Sequence, residues 1–308
     1  MRRVKLGATG LEVSPICFGC WQMGQTFWGK VPENELIEAV HAALDLGVNF
    51  FDNADAYGDG DAERILGRAL KGVQRERFVT ATKVYHHFYP DGHRHPDLSE
   101  DYILSACEAS LERLGLEFID LYLCHAFEQL AVFEGIANAM EKLVREGKIR
   151  AYGVSNFTVE QFRAVRKFGR FNSLQPCYNL LEPDAEKDLL PYCQSERIGV
   201  LVYSSLMRGM LTGKFKGDET FTDLRGGDKR FSGEQFKAMV AKVDKLRPIA
   251  EAKKCTVSQL SLAATTAHPS IHCAIVGIKN AAQIREAAGV ADVKLSREEY
   301  HQIRNALA

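Results

Sequence analysis

The 308-residue sequence has no apolar run long enough to cross a bilayer; its longest, such as Ile198 to Tyr203, are strand-sized. The basic start, Met1-Arg2-Arg3, is followed by no apolar stretch of signal-peptide length. Net charge is nearly absent: 39 Lys and Arg against 40 Asp and Glu leave −1. Nucleic-acid coats and anionic membrane surfaces demand a basic excess, so neither is an expected partner. Heptads, glycine excess and Pro/Ser-rich linkers are missing too, which removes coiled-coil and collagen-like classes and gives no place to divide the chain. Zinc-ribbon spacing is lacking as well. Cys17-x-x-Cys20 has no partner pair and lies in an apolar, strand-like run rather than ahead of a helix. The eight cysteines (17, 20, 107, 124, 177, 193, 255, 273) read as buried free thiols in a reducing cytoplasm.

What the sequence does have is alternation. Eight short apolar runs, at 15–20, 48–52, 78–83, 119–124, 150–154, 172–175, 199–203 and 273–277, are separated by segments of helical period. The helices carry legible punctuation. Pro32 opens the first and Gly47 stops it; Ser99 caps another that ends at Gly115. Thr158-x-x-Gln161, Thr256-x-x-Gln259 and Ser296-x-x-Glu299 have the spacing of capping boxes. Strands that are continuously apolar belong in a buried parallel sheet. Eight of them, each followed by a helix, fit an α/β fold: a single (β/α)8 TIM barrel domain over residues 1–308. One long loop, 204–236, follows strand seven. A doubly wound sheet would show a phosphate fingerprint after its first strand. The nearest string, Gly58-Asp59-Gly60-Asp61-Ala62-Glu63, breaks at the third glycine and follows the second strand.

In such a barrel the carboxyl ends of the strands converge on one mouth. Asp52 ends strand two, Tyr57 follows in the loop, Lys83 ends strand three and His125 directly follows strand four. Acid, phenol, amine and imidazole together suit proton donation to a carbonyl oxygen. The Lys83 ammonium is expected to lower the proton affinity of Tyr57, and Asp52 to hold the ammonium. The group supplies no hydride, so a cofactor must. Each residue also has an ordinary reading: a structural ion pair, loop packing, a satisfied polar histidine. Trp21, Trp28 and Phe127 fit an apolar substrate wall or plain aromatic packing. His86, His87, His93 and His95, with Asp91 and Asp97, lie in a loop with no fixed helical spacing and read as solvated, with no metal assigned.

Several strings now resemble one family. Phe51-Asp52-Asn53-Ala54-Asp55-Ala56-Tyr57-Gly58 is similar to the Asp-Thr-Ala-x-x-Tyr-Gly signature of the aldo-keto reductases. The likeness continues through Thr82-Lys83, Asp120 to His125, Gly153 to Phe157, Leu174 to Asn179, Tyr203 to Lys214 and Val276 to Lys279. It implies a catalytic tetrad of Asp52, Tyr57, Lys83 and His125, with Tyr57 as general acid, acting on a small carbonyl or alcohol. It implies NADP(H), bound across the mouth without a Rossmann motif. Asp52, Ser155, Asn156, Gln175 and Tyr203 would then meet the nicotinamide; Ser204, Leu206 and Gly209 the pyrophosphate; Gly277, Lys279, Gln283 and Glu286 the adenosine. Lys279 favours a 2′-phosphate, hence NADP over NAD. Trp21, Tyr57, His125 and Phe127 would face substrate, and the loop cations Arg208, Lys214, Lys216, Arg225, Lys229 and Arg230 would partly cover the pyrophosphate. Four positions depart from the pattern: Asn53 for Thr, Ala126-Phe127 for Trp-Pro, and Ala287 for Asn. Two other readings stay open. One is a non-catalytic nicotinamide-binding regulator like the potassium-channel β subunits; the other is a metal-dependent barrel hydrolase using the histidine-rich loop.

Overall fold

The computed structural model describes residues 1–26, 29–89 and 91–308. Eight parallel strands close into a barrel: β1 (Ile16–Gly19), β2 (Phe50–Asp52), β3 (Val79–Val84), β4 (Ile119–Cys124), β5 (Ile149–Ser155), β6 (Ser173–Gln175), β7 (Gly199–Val202) and β8 (Cys273–Gly277). Each pairs with its sequence neighbours and β8 returns to β1, through Gly277 opposite Gly19. All eight expected strands are present, within one to two residues at their ends.

Strand side chains alternate between the interior and the helix-facing side. One set of residues fills the interior: Cys17, Phe50, Ala81, Leu121, Leu123, Ala151, Leu201, Cys273 and Ile275. A hairpin of Val4–Lys5 with Glu12–Val13 adds Leu6, Leu11 and Val13 to the same cluster. The other set, including Phe18, Phe51, Tyr122 and Val200, packs against the surrounding helices. This period of two explains Cys17-x-x-Cys20. Cys17 belongs to the interior and Cys20 to the outer layer, burial pushes both thiols well up, and both are free.

The helices are α1 (Glu33–Asp45), α2 (Asp61–Leu70), α3 (Glu100–Leu114), α4 (Phe133–Arg145), α5 (Val159–Val165), α6 (Leu189–Ser195), α7 (Gly233–Asp244), α8 (Arg247–Ala252), α9 (Val257–Ala267), α10 (Ala281–Ala288) and α11 (Arg297–Leu307). Ser99 caps α3, Gly115 closes it in the left-handed region, and both partners of all three capping boxes are bonded. The segment after β7 departs from expectation. Its helix opens at Gly233, inside the expected 204–236 loop, because Phe236, Val240 and Val243 form an apolar stripe against Met207, Met210 and Phe215. Ile303 and Leu307 of α11 complete that second core. Among the described residues no helix is long and apolar enough to cross a membrane.

Candidate active site

The alternation that fills the barrel also selects what stands at its mouth. Two residues beyond Phe50, Ala81, Leu123 and Leu201 come Asp52, Lys83, His125 and Tyr203; Ser155 and Gln175 end β5 and β6. Tyr57 reaches the same place from the loop after β2. That loop is held by a close approach of two glycines. Gly58 has φ +64°, and a Cβ there would lie 2.5 Å from the Gly24 carbonyl oxygen.

Lys83 is fully buried and its Nζ makes three hydrogen bonds: to Asp52 Oδ2 at 2.9 Å, the Asn53 carbonyl at 2.7 Å and Tyr57 Oη at 3.2 Å. An ammonium has three hydrogens and no acceptor, so Tyr57 oxygen must accept. The phenol hydrogen is left free to point elsewhere. Asp52 is fixed at both oxygens, since Gln175 Nε2 donates to Oδ1 at 2.7 Å from across the barrel. His125 approaches Tyr57 edge-on, with 5.9 Å between ring centroids.

Burial sets the proton affinities. Tyr57 is pushed up to about 12 by burial, with Asp52 acting the same way; Lys83 opposes both and does not prevail. The expectation that Lys83 brings the phenol down is therefore corrected: its charge limits the rise and does not reverse it. Burial also pulls on Lys83 itself, but Asp52 and Tyr57 outweigh it and keep the amine protonated. Burial, then the Lys83 charge, hold His125 well below the usual imidazole range, so it is neutral. The mouth thus combines a phenol that keeps its proton, a permanent cation behind it and an uncharged imidazole beside it.

The residues expected around the nicotinamide form one network. Ser155 Oγ donates to the Gln175 carbonyl at 2.8 Å, Asn156 Nδ2 to the His125 carbonyl at 2.9 Å, and Tyr203 Oη to Asn156 Oδ1 at 2.8 Å. Beyond β7 the backbone turns repeatedly into the left-handed region, at Ser204 (φ 60°), Met207 (45°), Arg208 (50°) and Gly209 (94°). Such turns gather N–H groups into a concave anion cradle. Leu206 N-caps the short 3-10 segment Met207–Thr212. At the far end Gln283 Oε1 accepts from the Lys279 N–H at 2.8 Å, and Glu286 Oε1 accepts from Thr256 Oγ1 at 3.1 Å. Lys279 is half-buried and Lys214 exposed; partial desolvation, then the nearby Arg225 charge, lower both, with Asp223 opposing. Ala287 is in the core.

Three loop arginines expected over the pyrophosphate are engaged within the protein. Arg208 pairs with Asp228, Arg225 with Asp223, and Arg230 with Asp228 and Glu182. Trp21 lies 6.4 Å from Tyr57 between ring centroids. Phe127 turns to Phe133 and Phe157, at 6.1 and 5.7 Å. Trp28 lies outside the described residues. Sequence reasoning missed the Asn53 carbonyl as a Lys83 acceptor, the Gln175–Asp52 bond, and Gln22, whose side chain fills the space beside Gly277. A residue's backbone contact and a bond between residues 123 positions apart leave no mark in a sequence string.

The chain matches the Aldo/keto reductase family over residues 15–308. It is 35% identical to the aldo-keto reductase YhdN of Bacillus subtilis, over all of this chain and 94% of that protein. Glycerol dehydrogenase AKR11B4 of Gluconobacter oxydans superposes with a TM-score of 0.92 at 32% identity, covering 99% of this chain and 94% of that one. An aldo/keto reductase of Klebsiella pneumoniae, solved with NADP and acetate, gives 0.78 at 30% identity, with 99% and 95% covered. Barrel, mouth and relatives agree, and the chain belongs to the aldo/keto reductase family, an oxidoreductase of carbonyls and alcohols.

Proposed function

We propose that residues 1–308 act as one cytoplasmic domain that reduces an aldehyde or ketone with NADPH, or oxidises a sugar or other alcohol in reverse, with Tyr57 as general acid. The observation that carries this reading is the bonding of Lys83. Its three donors are used on Asp52, Asn53 and Tyr57, so the phenol oxygen accepts and the phenol proton is free for a substrate oxygen. The bound cofactor supplies the hydride. As the carbonyl oxygen gains charge, Tyr57 donates its proton and the adjacent Lys83 cation stabilises the phenolate that remains. Neutral His125 is in reach to orient the same oxygen through its N–H. In the alcohol direction the phenolate takes the proton back. The glycerol dehydrogenase at 32% identity supports an alcohol as one of the two natural forms of the substrate.

The chain fits NADP(H) at both ends. The left-handed turns from Ser204 to Gly209 suit a pyrophosphate, and Tyr203 is the ring available for stacking on the nicotinamide. Tyr203→Ala should weaken the cofactor by about 1–2 kcal/mol, of the order of an aromatic stacking contact. A fluorescence titration with unchanged affinity would reject that role. Lys214 and Lys279 lie near Arg225, a set of cations with Asp223 among them that a phosphate monoester suits. A charge-assisted bond to phosphate is worth roughly 1.5–3 kcal/mol, about ten- to a hundredfold. Lys279→Met should raise the dissociation constant for NADPH by that factor and leave NADH almost unchanged. Equal weakening of both cofactors, or none, would show that Lys279 does not read the phosphate. The reaction itself is tested by NADPH oxidation against aldehydes, ketones and sugars, with alcohols and NADP for the reverse. Failure of every substrate to be turned over would overturn the reading.

A further inference from the structure

Four of the nine histidines sit between β3 and α3, where the chain forms a hairpin of His86–Phe88 with Arg94–Pro96. The register sets His87 directly opposite His95. Asp97 follows His95 by two positions, so the period of the strand directs it to the same face. The result is two imidazoles and a carboxylate whose donor atoms all lie within 4.8 Å of one another. His87 Nδ1 is already 2.9 Å from Asp97 Oδ2.

The rings are held in place. His87 stacks on Tyr102 of α3 at 4.3 Å and on Tyr89 at 4.7 Å, with interplanar angles of 13° and 10°. His95 lies 5.4 Å from His87 and inclined by 23°. Fixed imidazoles lose little freedom on binding an ion, which is what preorganisation contributes to a metal site. His93 is different: its Nδ1 bonds to Asp91 and it stands outside the cluster. His86 is on the opposite face, toward His125 and Phe88.

We propose that His87, His95 and Asp97 bind one divalent ion of the zinc class on the outer face of this hairpin, apart from the reductase site. Two nitrogen donors and one carboxylate suit zinc and its first-row neighbours better than magnesium or calcium, which favour all-oxygen sets. Bonds of about 2.0–2.2 Å require the three donors to draw together by roughly an ångström. His87 stays in its stack, and the movement falls to the side chains of the exposed His95 and the half-buried Asp97. Three protein ligands leave the fourth position of a tetrahedral ion to water. The ion would tie together the two strands that wall one side of the mouth.

The test uses the full chain, free of any histidine tag and stripped with a chelator. Zinc is titrated by competition with a chromogenic chelator, and cobalt by its visible absorption. One equivalent should bind. His95→Ala and Asp97→Asn should each weaken zinc by about tenfold or more, since losing even an outer partner of a ligand costs that much. His93→Ala should bind as the parent does. His95→Gln serves as a second variant at that position, with circular dichroism melts as the check on folding. Absence of stoichiometric binding, or equal binding by the parent and the His95 and Asp97 variants, overturns the proposal and leaves an adventitious ion only. An equal loss in His93→Ala overturns the ligand set.

Discussion

Replacing Tyr57 by Phe should abolish carbonyl reduction while leaving the barrel and its cofactor affinity in place. The hydroxyl is the group whose proton is not used inside the protein, because Lys83 donates to its oxygen. Loss of a general acid costs about 10²–10⁴-fold, and the variant also removes the oxygen that Lys83 stabilises as it becomes anionic. A Tyr57→Phe enzyme keeping a tenth of parental turnover would sink the assignment. Burial sets the pH dependence. With the phenol held up at about 12, reduction should stay level through the neutral range, because the donor remains protonated. Oxidation of an alcohol needs the phenolate, so it should climb about tenfold per pH unit on the alkaline side. Opposite pH slopes for the two directions, measured with one substrate pair, are the expected signature. Parallel profiles would point to a different proton carrier.

Lys83→Met should damage both stability and rate. Lys83 and Asp52 are buried together, with 0% and 3% of their surfaces exposed. Removing one member of a buried pair strands the other charge and costs about 3–5 kcal/mol. Urea denaturation should detect that loss, and adding Asp52→Asn should restore much of it because the stranded charge is removed. A single variant that loses under about 1 kcal/mol would mean that the pair is not buried as described. Turnover should fall in both variants alike, since neither has a cation beside Tyr57. Stability and catalysis would thus separate in the double variant.

Much of this arrangement was legible in the sequence because the barrel obeys two periods at once. Strands buried on both faces read as unbroken apolar runs, so all eight were found, and their ends gave Asp52, Lys83 and His125. The pairing of His86–Phe88 with Arg94–Pro96 looks like loop in the sequence. Its strands are three residues long and carry histidine, phenylalanine and arginine rather than an apolar alternation. The start of α7 was hidden for another reason: Gly233 and Ser232 look like loop, and the helix exists because Phe236 and Val240 meet a core assembled from distant segments. The proton affinity of Tyr57 could not be read at all. Neighbouring charge is visible in a motif, but the depth of burial that outweighs it is a property of the closed barrel. The ion pairs of the loop arginines are not legible either, because their partners, Asp223, Asp228 and Glu182, become neighbours only when the loop folds back.

The filled interior beneath the mouth has a consequence for how such a protein diversifies. Each mouth residue stands one step above a packed layer rather than within it, so most mouth positions can change without opening a hole below. Asp52, Lys83, Ser155 and Gln175 are the exception, since all four are buried and Gln175 is bonded to Asp52. Asn156 and Tyr203 are free of that double duty, being more exposed and joined by a hydrogen bond at the rim. Mutational tolerance should therefore be uneven around a single ring. A library spread over the mouth would yield folded enzymes with altered cofactor or substrate preference at Asn156 and Tyr203, and mostly unstable ones at Asp52, Lys83 and Gln175. New specificities in this lineage have an open side of the barrel from which to arise.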